Sequence, residues 1–389
     1  MDWIKQNRMV ALVIAVAIAT VLYLFLWRAP ASAADLGGTC CADLEERIAE
    51  LEATTARKGN RKLSLTISGQ INKALLHVSG DGESDQFVIE NSAAESLVRF
   101  EGAAKIAKGW AAGYVLEIGV GGFEAEHQEG FFSTPVGANG LYTRKSYWFI
   151  DSPAARLSVG LQSQATDGIA EVSTVNTGVV ARTLSLRPIN GPQIGEFVDL
   201  FDGTRADAVR VDSTPMGGFV ASASWTAGSF GQADVWDVAL RYRGEGAGFR
   251  LAAGIGYRDG VVIPTFGAFG DAVPFLGAND VKVASGSVSL QHMETGLFVN
   301  GAYGRLDATN GNADAWHVQA GDEKKWNELG KTTLYGEYGK SNEFGATIWG
   351  AGVVQSIDAA AMDLYLTGRR VEFEGSSADL FMAGARVLF

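Results

Sequence analysis

Charged side chains alternate with apolar ones along many short segments of this chain. In LVRFEGAAKI, Arg99 and Lys105 lie on the opposite side of the alternation from Val98 and Phe100. Such a period of two is typical of a β-strand, whose successive side chains point to opposite faces. The same pattern places these charges on polar strand faces: Arg99, Lys105, Arg156, Arg210, Asp237, Arg241, Arg250, Asp363 and Arg369. Because burial in an apolar core would cost each charge several kcal/mol, we expect this face to meet water and to act on dissolved ions and polar solutes.

Residues that carry covalent catalysis or hold metals are few. The only cysteines are the neighbours Cys40 and Cys41, and the four histidines are scattered. Adjacent cysteines fit disulfide geometry poorly, so this pair either cross-links neighbouring subunits or has no required role. His292 and His317 fall on separate predicted strands without a nucleophile motif, which disfavours an outer-membrane lipase or protease. We therefore predict no catalytic residue, no metal site and no cofactor.

The composition restricts the class of protein further. The chain has 389 residues with 49 glycines, only 8 prolines and 47% hydrophobic residues. This balance suits repeated antiparallel strands with tight turns and does not suit disorder. The formal net charge of −12 argues against nucleic acid as a partner.

The N-terminal part carries a targeting signal. Lys5 and Arg8 precede an uncharged apolar run over residues 9–27, and Ala31-Ser32-Ala33 is a small-residue cleavage pattern. We predict a signal peptide over residues 1–33. The apolar run is also long enough for an uncleaved membrane anchor, and this alternative stays open.

Residues 34–62 are predicted to form a periplasmic linker with one short helix. Leu44, Ile48 and Leu51 follow helical spacing on a background rich in charged residues. One narrow apolar stripe does not fold alone, so the helix is either half of a short coiled coil in an oligomer or a solvated linker.

Alternating segments then continue to the C-terminus. We predict strands near residues 63–77, 96–107, 110–121, 141–150, 155–165, 205–215, 219–229, 234–243, 248–258, 281–293, 297–305, 314–325, 331–340, 344–357, 359–370 and 378–389. Short turns and longer loops, such as the stretch from Ser79 to Ser96, alternate between these segments with few exceptions. This alternation is typical of an up-and-down membrane barrel with small turns at one rim and large loops at the other. The prediction is an all-β transmembrane barrel over 63–389, with about sixteen antiparallel strands and a wet interior.

The last strand shows which face meets lipid. In FMAGARVLF, the alternate residues from Phe381 to Phe389 are apolar, whereas Arg386 belongs to the other face. We predict that the apolar set points to lipid and Arg386 to a polar interior.

The longest connection between predicted strands is residues 166–204, named the insert below. Loops of this length are usually functional. It carries more acids than bases, and its predicted pore-lining acids are Asp167, Glu171, Glu196, Asp199 and Asp202. We predict that the insert folds into the barrel and narrows it, with these acids facing basic wall residues: Arg99, Lys105, Arg156, Arg210, Arg241 and Arg250. An external flap with ordinary solvated charge is the alternative.

Several stretches resemble the alphaproteobacterial porin family. The most specific is CCADLEERIAELEATTARKGNRKLSLTISGQIN, which begins at Cys40, followed by ASASW, DVALRY and LAAGIGY. The resemblance implies a trimeric barrel of about sixteen strands whose third external loop, here the insert, folds inside. It also implies that Phe389 is the C-terminal signal for the outer-membrane barrel assembly machinery.

These observations together predict an outer-membrane porin with both barrel termini in the periplasm. Its partners would be the lipid bilayer, two further copies of the chain, and the ions and small hydrophilic solutes that diffuse passively through it. A channel specific for a sugar or an anion remains an alternative, with Tyr142, Tyr147 and Trp148 as a candidate aromatic track. An envelope-tethering barrel is a further alternative.

Overall fold

The computed structural model describes residues 62–80, 83–120, 141–179, 202–227, 234–261, 281–309, 311–342, 345–373 and 376–389. The predicted signal peptide, linker helix and cysteine pair lie outside these ranges, as do Glu196 and Asp199. No helix in the described part of the chain is long and apolar enough to span a membrane.

The described residues form one antiparallel sheet of 17 strands that closes on itself. The strands are β1 (Thr66–Gly80), β2 (Glu83–Glu90), β3 (Leu97–Ala107), β4 (Trp110–Val120), β5 (Leu141–Asp151), β6 (Ala155–Ser163), β7 (Arg205–Ser213), β8 (Phe219–Thr226), β9 (Val235–Gly246), β10 (Phe249–Val261), β11 (Val281–His292), β12 (Leu297–Ala308), β13 (Gly311–Asn327), β14 (Gly330–Ser341), β15 (Thr347–Ile357), β16 (Met362–Phe373) and β17 (Ser376–Leu388). Sequential strands pair around the barrel, and β17 closes it by pairing with β1. The predicted barrel is confirmed.

One strand was not predicted. The stretch between residues 79 and 96, expected to be a loop, contains β2. This strand pairs with the C-terminal part of β1, Lys73–Gly80, whereas β3 pairs with its N-terminal part, Thr66–Gln70. The 17 strands therefore occupy sixteen positions around the barrel. The chain leaves the wall between β2 and β3 through a short 3-10 turn, Ser92–Ala94, named the inner turn below. Gln70 and Asn72, on the inner face of β1, donate side-chain hydrogen bonds to the carbonyl oxygen of Ala94.

The alternation in the sequence sorts side chains to the two faces of the wall. In β17, Arg386 lies opposite Asp363 and its Nη2 atom is 2.6 Å from the Asp363 carboxylate, inside the barrel. Phe381 and Phe389 lie on the other face and are more than half exposed. The face predictions for the last strand are confirmed, because a side-chain period of two leaves each strand one apolar face that must avoid water.

Candidate pore and the insert inside it

The six predicted basic wall residues lie on inner strand faces. Arg99 lies opposite Glu117, and Glu117 lies opposite Lys145 on β5. The Nε atom of Arg99 is 3.4 Å from the carboxylate of Glu101, and Lys105 on the same face is exposed. These three basic residues form a positive stretch of the inner wall of β3 to β5, partly offset by the two glutamates.

Two of the predicted arginines are held by carboxylates on neighbouring strands. Arg156 makes two hydrogen bonds to Asp151, of 2.6 and 2.9 Å, and its guanidinium stacks over the Phe149 ring at 4.1 Å. Arg250 donates a 2.6 Å hydrogen bond to Glu245. Paired in this way, these two arginines contribute less net charge to the lumen than the sequence alone suggests.

The other two predicted arginines anchor the junction between β6 and the insert. Arg210 donates to the carbonyl oxygens of Ser163 and Gln164 at 2.9 and 3.0 Å. Arg241 donates to those of Ala165 and Asp167 at 2.8 and 2.7 Å. Irregular backbone in a water-filled lumen can bond to water or to protein, and here two guanidinium groups supply the donors.

Two carboxylates supply the matching acceptors. Asp237 on β9 accepts from the backbone N–H and the hydroxyl of Thr166, both at 2.7 Å. Asp202, at the other end of the insert, accepts from the backbone N–H groups of Gly168, Ile169 and Ala170. The two ends of the insert are thus joined to each other and to the wall.

The insert then runs along the inner wall. Ser287 on β11 accepts from the N–H of Val172 and donates to the carbonyl of Ile169. Ser289, on the same strand, accepts from the N–H of Thr174 at 2.8 Å. Since β11 is far from β6 around the barrel, this described part of the insert lies inside the lumen.

Its last described turn is fastened to the far side of the barrel by Asn176. The backbone N–H of Asn176 donates to Glu323 at 2.8 Å, and its side-chain amide donates to Asp363 at 2.9 Å and to Ser356. Its side-chain oxygen accepts from Arg386. One residue therefore joins the insert to β13, β15, β16 and β17. The 3-10 turn that it begins, Asn176–Val179, also contacts the inner turn.

A buried polar row on the wall supports this part of the insert. Ser289 donates to Asn300, Asn300 to Gln319, and Gln319 to Glu337. Glu337 and Arg369 form a buried ion pair. This row runs through β11, β12, β13, β14 and β16, and Asn300 also donates to Ser173 of the insert. The row provides the hydrogen-bonding surface on which the insert lies.

The predicted acids of the insert have different places. Asp202 is only 8% exposed, and burial together with the nearby Glu171 and Asp167 raises its pKa to about 7. Three backbone N–H donors favour its ionised form and partly offset this rise. Asp202 therefore binds the backbone of the insert and does not line the pore. Asp167 and Glu171, in contrast, are partly exposed, and Asp167 lies within electrostatic range of Lys145.

The aromatic track expected for a sugar-specific channel is not assembled. Trp148 points outward and is 47% exposed, and Tyr142 hydrogen-bonds Glu95 near the upper end of the wall. Tyr147 shares the inner face with Lys145 and Phe149, and a bulge in β5 places Tyr142 on the same side, next to Arg144. Of the histidines considered for catalysis, His292 contacts Thr295 in a turn, and His317 contacts Glu337 in the polar row.

Sequence reasoning missed the residues that hold the insert. Asn176, Ser224, Ser287 and Ser289 were not singled out, although VKVASGSVSLQ places hydroxyls on alternate positions of β11. That alternation was the available signal for an inner face that forms hydrogen bonds. The partners of Asn176 lie 147 or more positions away in the sequence, and no local pattern predicts them.

Comparison with known proteins agrees with this architecture. A family model described as Gram-negative porin matches residues 15–376 of the chain. No curated protein matches the sequence.

Solved structures show the same fold at low sequence identity. The trimer form of OmpT from Vibrio cholerae has a TM-score of 0.55 at 15% identity, covering 84% of this chain and 99% of that one. The outer-membrane channel DcaP of Acinetobacter baumannii has a TM-score of 0.55 at 10% identity, covering 86% and 100%. A variant of the Rh. blastica porin has a TM-score of 0.50 at 14% identity, covering 84% and 100%.

Proposed function

This chain belongs to the Gram-negative porin family and forms a water-filled channel through the outer membrane, and on that premise we propose how its pore selects solutes. The insert and the inner turn narrow the lumen. Solutes pass between the insert and the positive inner wall of β3 to β5. One observation carries the proposal: the described part of the insert is hydrogen-bonded inside the barrel from Asp237 on β9 to Arg386 on β17.

The charges on the two sides of this opening have opposite sign. Arg99 and Lys145 lie on the wall, and Asp167 and Glu171 lie on the insert. Charges separated across a narrow wet passage create a transverse field that favours polar solutes over apolar ones. Small ions and hydrophilic solutes would diffuse passively, with size as the main selection. Of the acids outside the described residues, Glu196 and Asp199 would add to the negative side.

We further propose an oligomeric state and a branch of the porin family for this chain. We infer a homotrimer, because a structurally similar barrel is described as a trimer form. We also infer that Phe389 is the contact for the barrel assembly machinery. The stretch from Cys40 to Asn72 supports membership of the alphaproteobacterial branch of the family.

Planar bilayers test the position of the pore wall. We expect Arg99→Glu or Lys145→Glu to shift the reversal potential in a salt gradient, raising the cation-to-anion permeability ratio on the order of two- to threefold. Lys282→Glu is the matched control, because Lys282 lies on the outer face of β11 and is exposed. Unchanged reversal potentials in both pore variants would contradict the wall assignment.

Liposome swelling with sugars of graded size separates general diffusion from a specific site. Rates that fall steadily with solute size and rise linearly with concentration support general diffusion. Saturation at low concentration would instead support a specific channel.

A further inference from the structure

The connection between β2 and β3 carries one acidic side chain. Residues 91–96 read NSAAES, and Glu95 is the residue that ends the inner turn. In a turn on the outer surface such a carboxylate would be surrounded by solvent, whereas the Glu95 side chain is only 17% exposed. The fold therefore gives this charge a definite place, which its neighbours in space identify.

The backbone of the inner turn is held by side chains on the inner face of β1. Gln70 donates to the carbonyl oxygen of Glu95 at 2.8 Å. Asn72, which is 0% exposed, donates to the carbonyl oxygen of Ala94 at 2.9 Å, and its own N–H donates to the hydroxyl oxygen of Ser96. None of these bonds uses the Glu95 side chain, so the turn keeps its place without the carboxylate.

The Glu95 carboxylate reaches two strands farther along the wall. One of its oxygens accepts a 2.5 Å hydrogen bond from the hydroxyl of Tyr142 and forms an ion pair with Arg144, both on β5. The other oxygen is 3.9 Å from the Nη2 atom of Arg205, the first residue of β7. Because β4 and β6 stand between these strands in the sheet, the carboxylate lies over the inner face of the wall from β3 to β7.

This wall borders the passage proposed above. The described part of the insert is hydrogen-bonded to β9, β11 and the strands from β12 to β17, and its last turn contacts the inner turn. Arg144 and Arg205 are thus cations beside the passage, and Arg144 also binds Glu117 at 2.9 Å. Charges this close together act within one Debye length of about 8 Å, so an added carboxylate lowers the local positive potential.

We propose that Glu95 is a specificity-determining residue of the pore. The inner turn holds its carboxylate between Arg144 and Arg205, where it lowers the positive potential of the wall and raises the permeability of cations relative to anions. The inference rests on the proposed passage along this wall, and it adds a source of negative charge to the acids of the insert. A carboxylate that only tied β5 to β7 would have no such effect on ion preference.

Reversal potentials in a salt gradient test the charge. Glu95→Gln keeps the size of the side chain and an acceptor for Tyr142 but removes one negative charge, so the cation-to-anion permeability ratio should fall roughly twofold. Asp307→Asn is the matched control, because it also removes a carboxylate paired with an arginine, Arg305 at 2.8 Å, but on the outer face of β12. An unchanged ratio for Glu95→Gln, or an equal fall in the control, would overturn the proposal.

Charge compensation distinguishes this role from a structural tie. Adding Arg205→Gln to Glu95→Gln removes one charge of each sign, so the permeability ratio should return towards that of the unmodified protein. A tie would be lost in the double variant as well, and nothing would be restored. A ratio that moves farther from the unmodified value in the double variant than in the single one therefore contradicts the proposal.

Chemical modification supplies the charge again at the same position. In a Cys40→Ser, Cys41→Ser background, the thiol of Glu95→Cys should react with methanethiosulfonate reagents added to the bath. A sulfonate-bearing reagent should raise the cation-to-anion permeability ratio, and a trimethylammonium-bearing reagent should lower it. Absence of reaction, or the same change with both reagents, would show that position 95 does not face the passage.

Arg99→Glu, measured alongside, separates this inference from the proposed pore. If Arg99→Glu shifts the reversal potential and Glu95→Gln does not, the passage stands and the role of Glu95 is wrong. If both variants conduct and neither shifts the reversal potential, the passage does not follow this wall and both proposals fail.

Discussion

At the scale of single residues, polar side chains inside this barrel hold the insert in place through hydrogen bonds. Asn176 makes contacts with four strands, and Ser287 both donates to and accepts from the insert backbone. In a water-filled lumen the backbone of a loop can bond to solvent, so direct bonds stabilise one loop position rather than compensate for burial. The position of the insert therefore depends on a few side chains.

Asn176→Ala should loosen the insert at its far end. The change removes three side-chain hydrogen bonds and leaves Asp363 with Arg386 and Ser356, at a local cost of about 1–3 kcal/mol. We expect larger and noisier single-channel currents and faster swelling of liposomes with the larger sugars.

Asn342→Ala is the matched control for this change. Asn342 also donates a side-chain amide to an aspartate, Asp314 at 2.6 Å, but near the upper end of β13 and β14. If the Asn176 variant and the control variant give the same currents, the hydrogen bonds of Asn176 do not determine the width of the pore.

At the scale of elements, the described part of the insert, residues 166–179, has no hydrophobic core large enough to fold alone. The buried apolar residues in that part are Ile169 and Ala170, next to Ala165 just before it. Its start is instead held by ionic groups: Arg241 binds a carbonyl of the insert, Asp237 and Asp202 bind its N–H groups, and Arg210 binds the two carbonyls of Ser163 and Gln164 just before it. An element held in this way responds to pH wherever one of those groups titrates near neutrality.

Asp202 makes the insert pH-dependent. Its pKa is raised from 3.8 to about 7, so the folded insert binds this proton more tightly than an unfolded chain does. The stabilisation is complete below about pH 4 and is lost as the pH rises through about 7. Amide hydrogen exchange of residues 168–170, corrected for intrinsic rates, should therefore be slower at pH 5 than at pH 8.

Asp202→Asn should remove this pH dependence, because the amide stays neutral throughout. Asp207→Asn, on the exposed outer side of β7, should retain it. If the amide hydrogens of residues 168–170 in the unmodified protein exchange equally slowly at both pH values, protonation of Asp202 does not stabilise the insert.

At the scale of the whole molecule, the two chain ends of the barrel close it. Phe389 exchanges backbone hydrogen bonds with Gly69 at 2.8 and 3.0 Å, beyond the last paired residue of β17. The Phe389 ring covers Gly69, so a Cβ atom there would lie 2.6 Å from the ring and closer still to the Leu97 carbonyl oxygen. Neither β1 nor β17 has its full set of hydrogen bonds until this contact forms.

Gly69→Val should therefore impair closure of the barrel. We expect loss of the heat-dependent mobility shift and at least a tenfold lower yield of folded protein in vesicles. Gly301→Val, on the outer face of β12 with no atom within 4 Å of its added Cβ, should fold normally. Normal folding of both variants would show that closure tolerates a side chain at Gly69.

The sequence by itself determined the strands, their faces and the wet interior. Alternation has a fixed period, and the medium on each side of a membrane barrel selects one face, so Phe381 and Arg386 could be assigned without coordinates. The strand β2 was not predicted because apolar and polar residues alternate only weakly in ESDQFVIE, and the surrounding stretch has the polar composition of a loop.

Only the tertiary structure decided which charged side chains bind backbone groups and which stay on the inner wall without such a bond. Arg210, Arg241 and Asp202 read as pore-lining charges, yet Arg210 binds the backbone just before the insert, and Arg241 and Asp202 bind the backbone of the insert itself. Arg99 and Lys105 read the same way and lie on the inner face of β3, where Arg99 is next to Glu101. The difference depends on closure of the barrel and strand register, which bring together residues 33 to 76 positions apart in these contacts, and no local spacing encodes them.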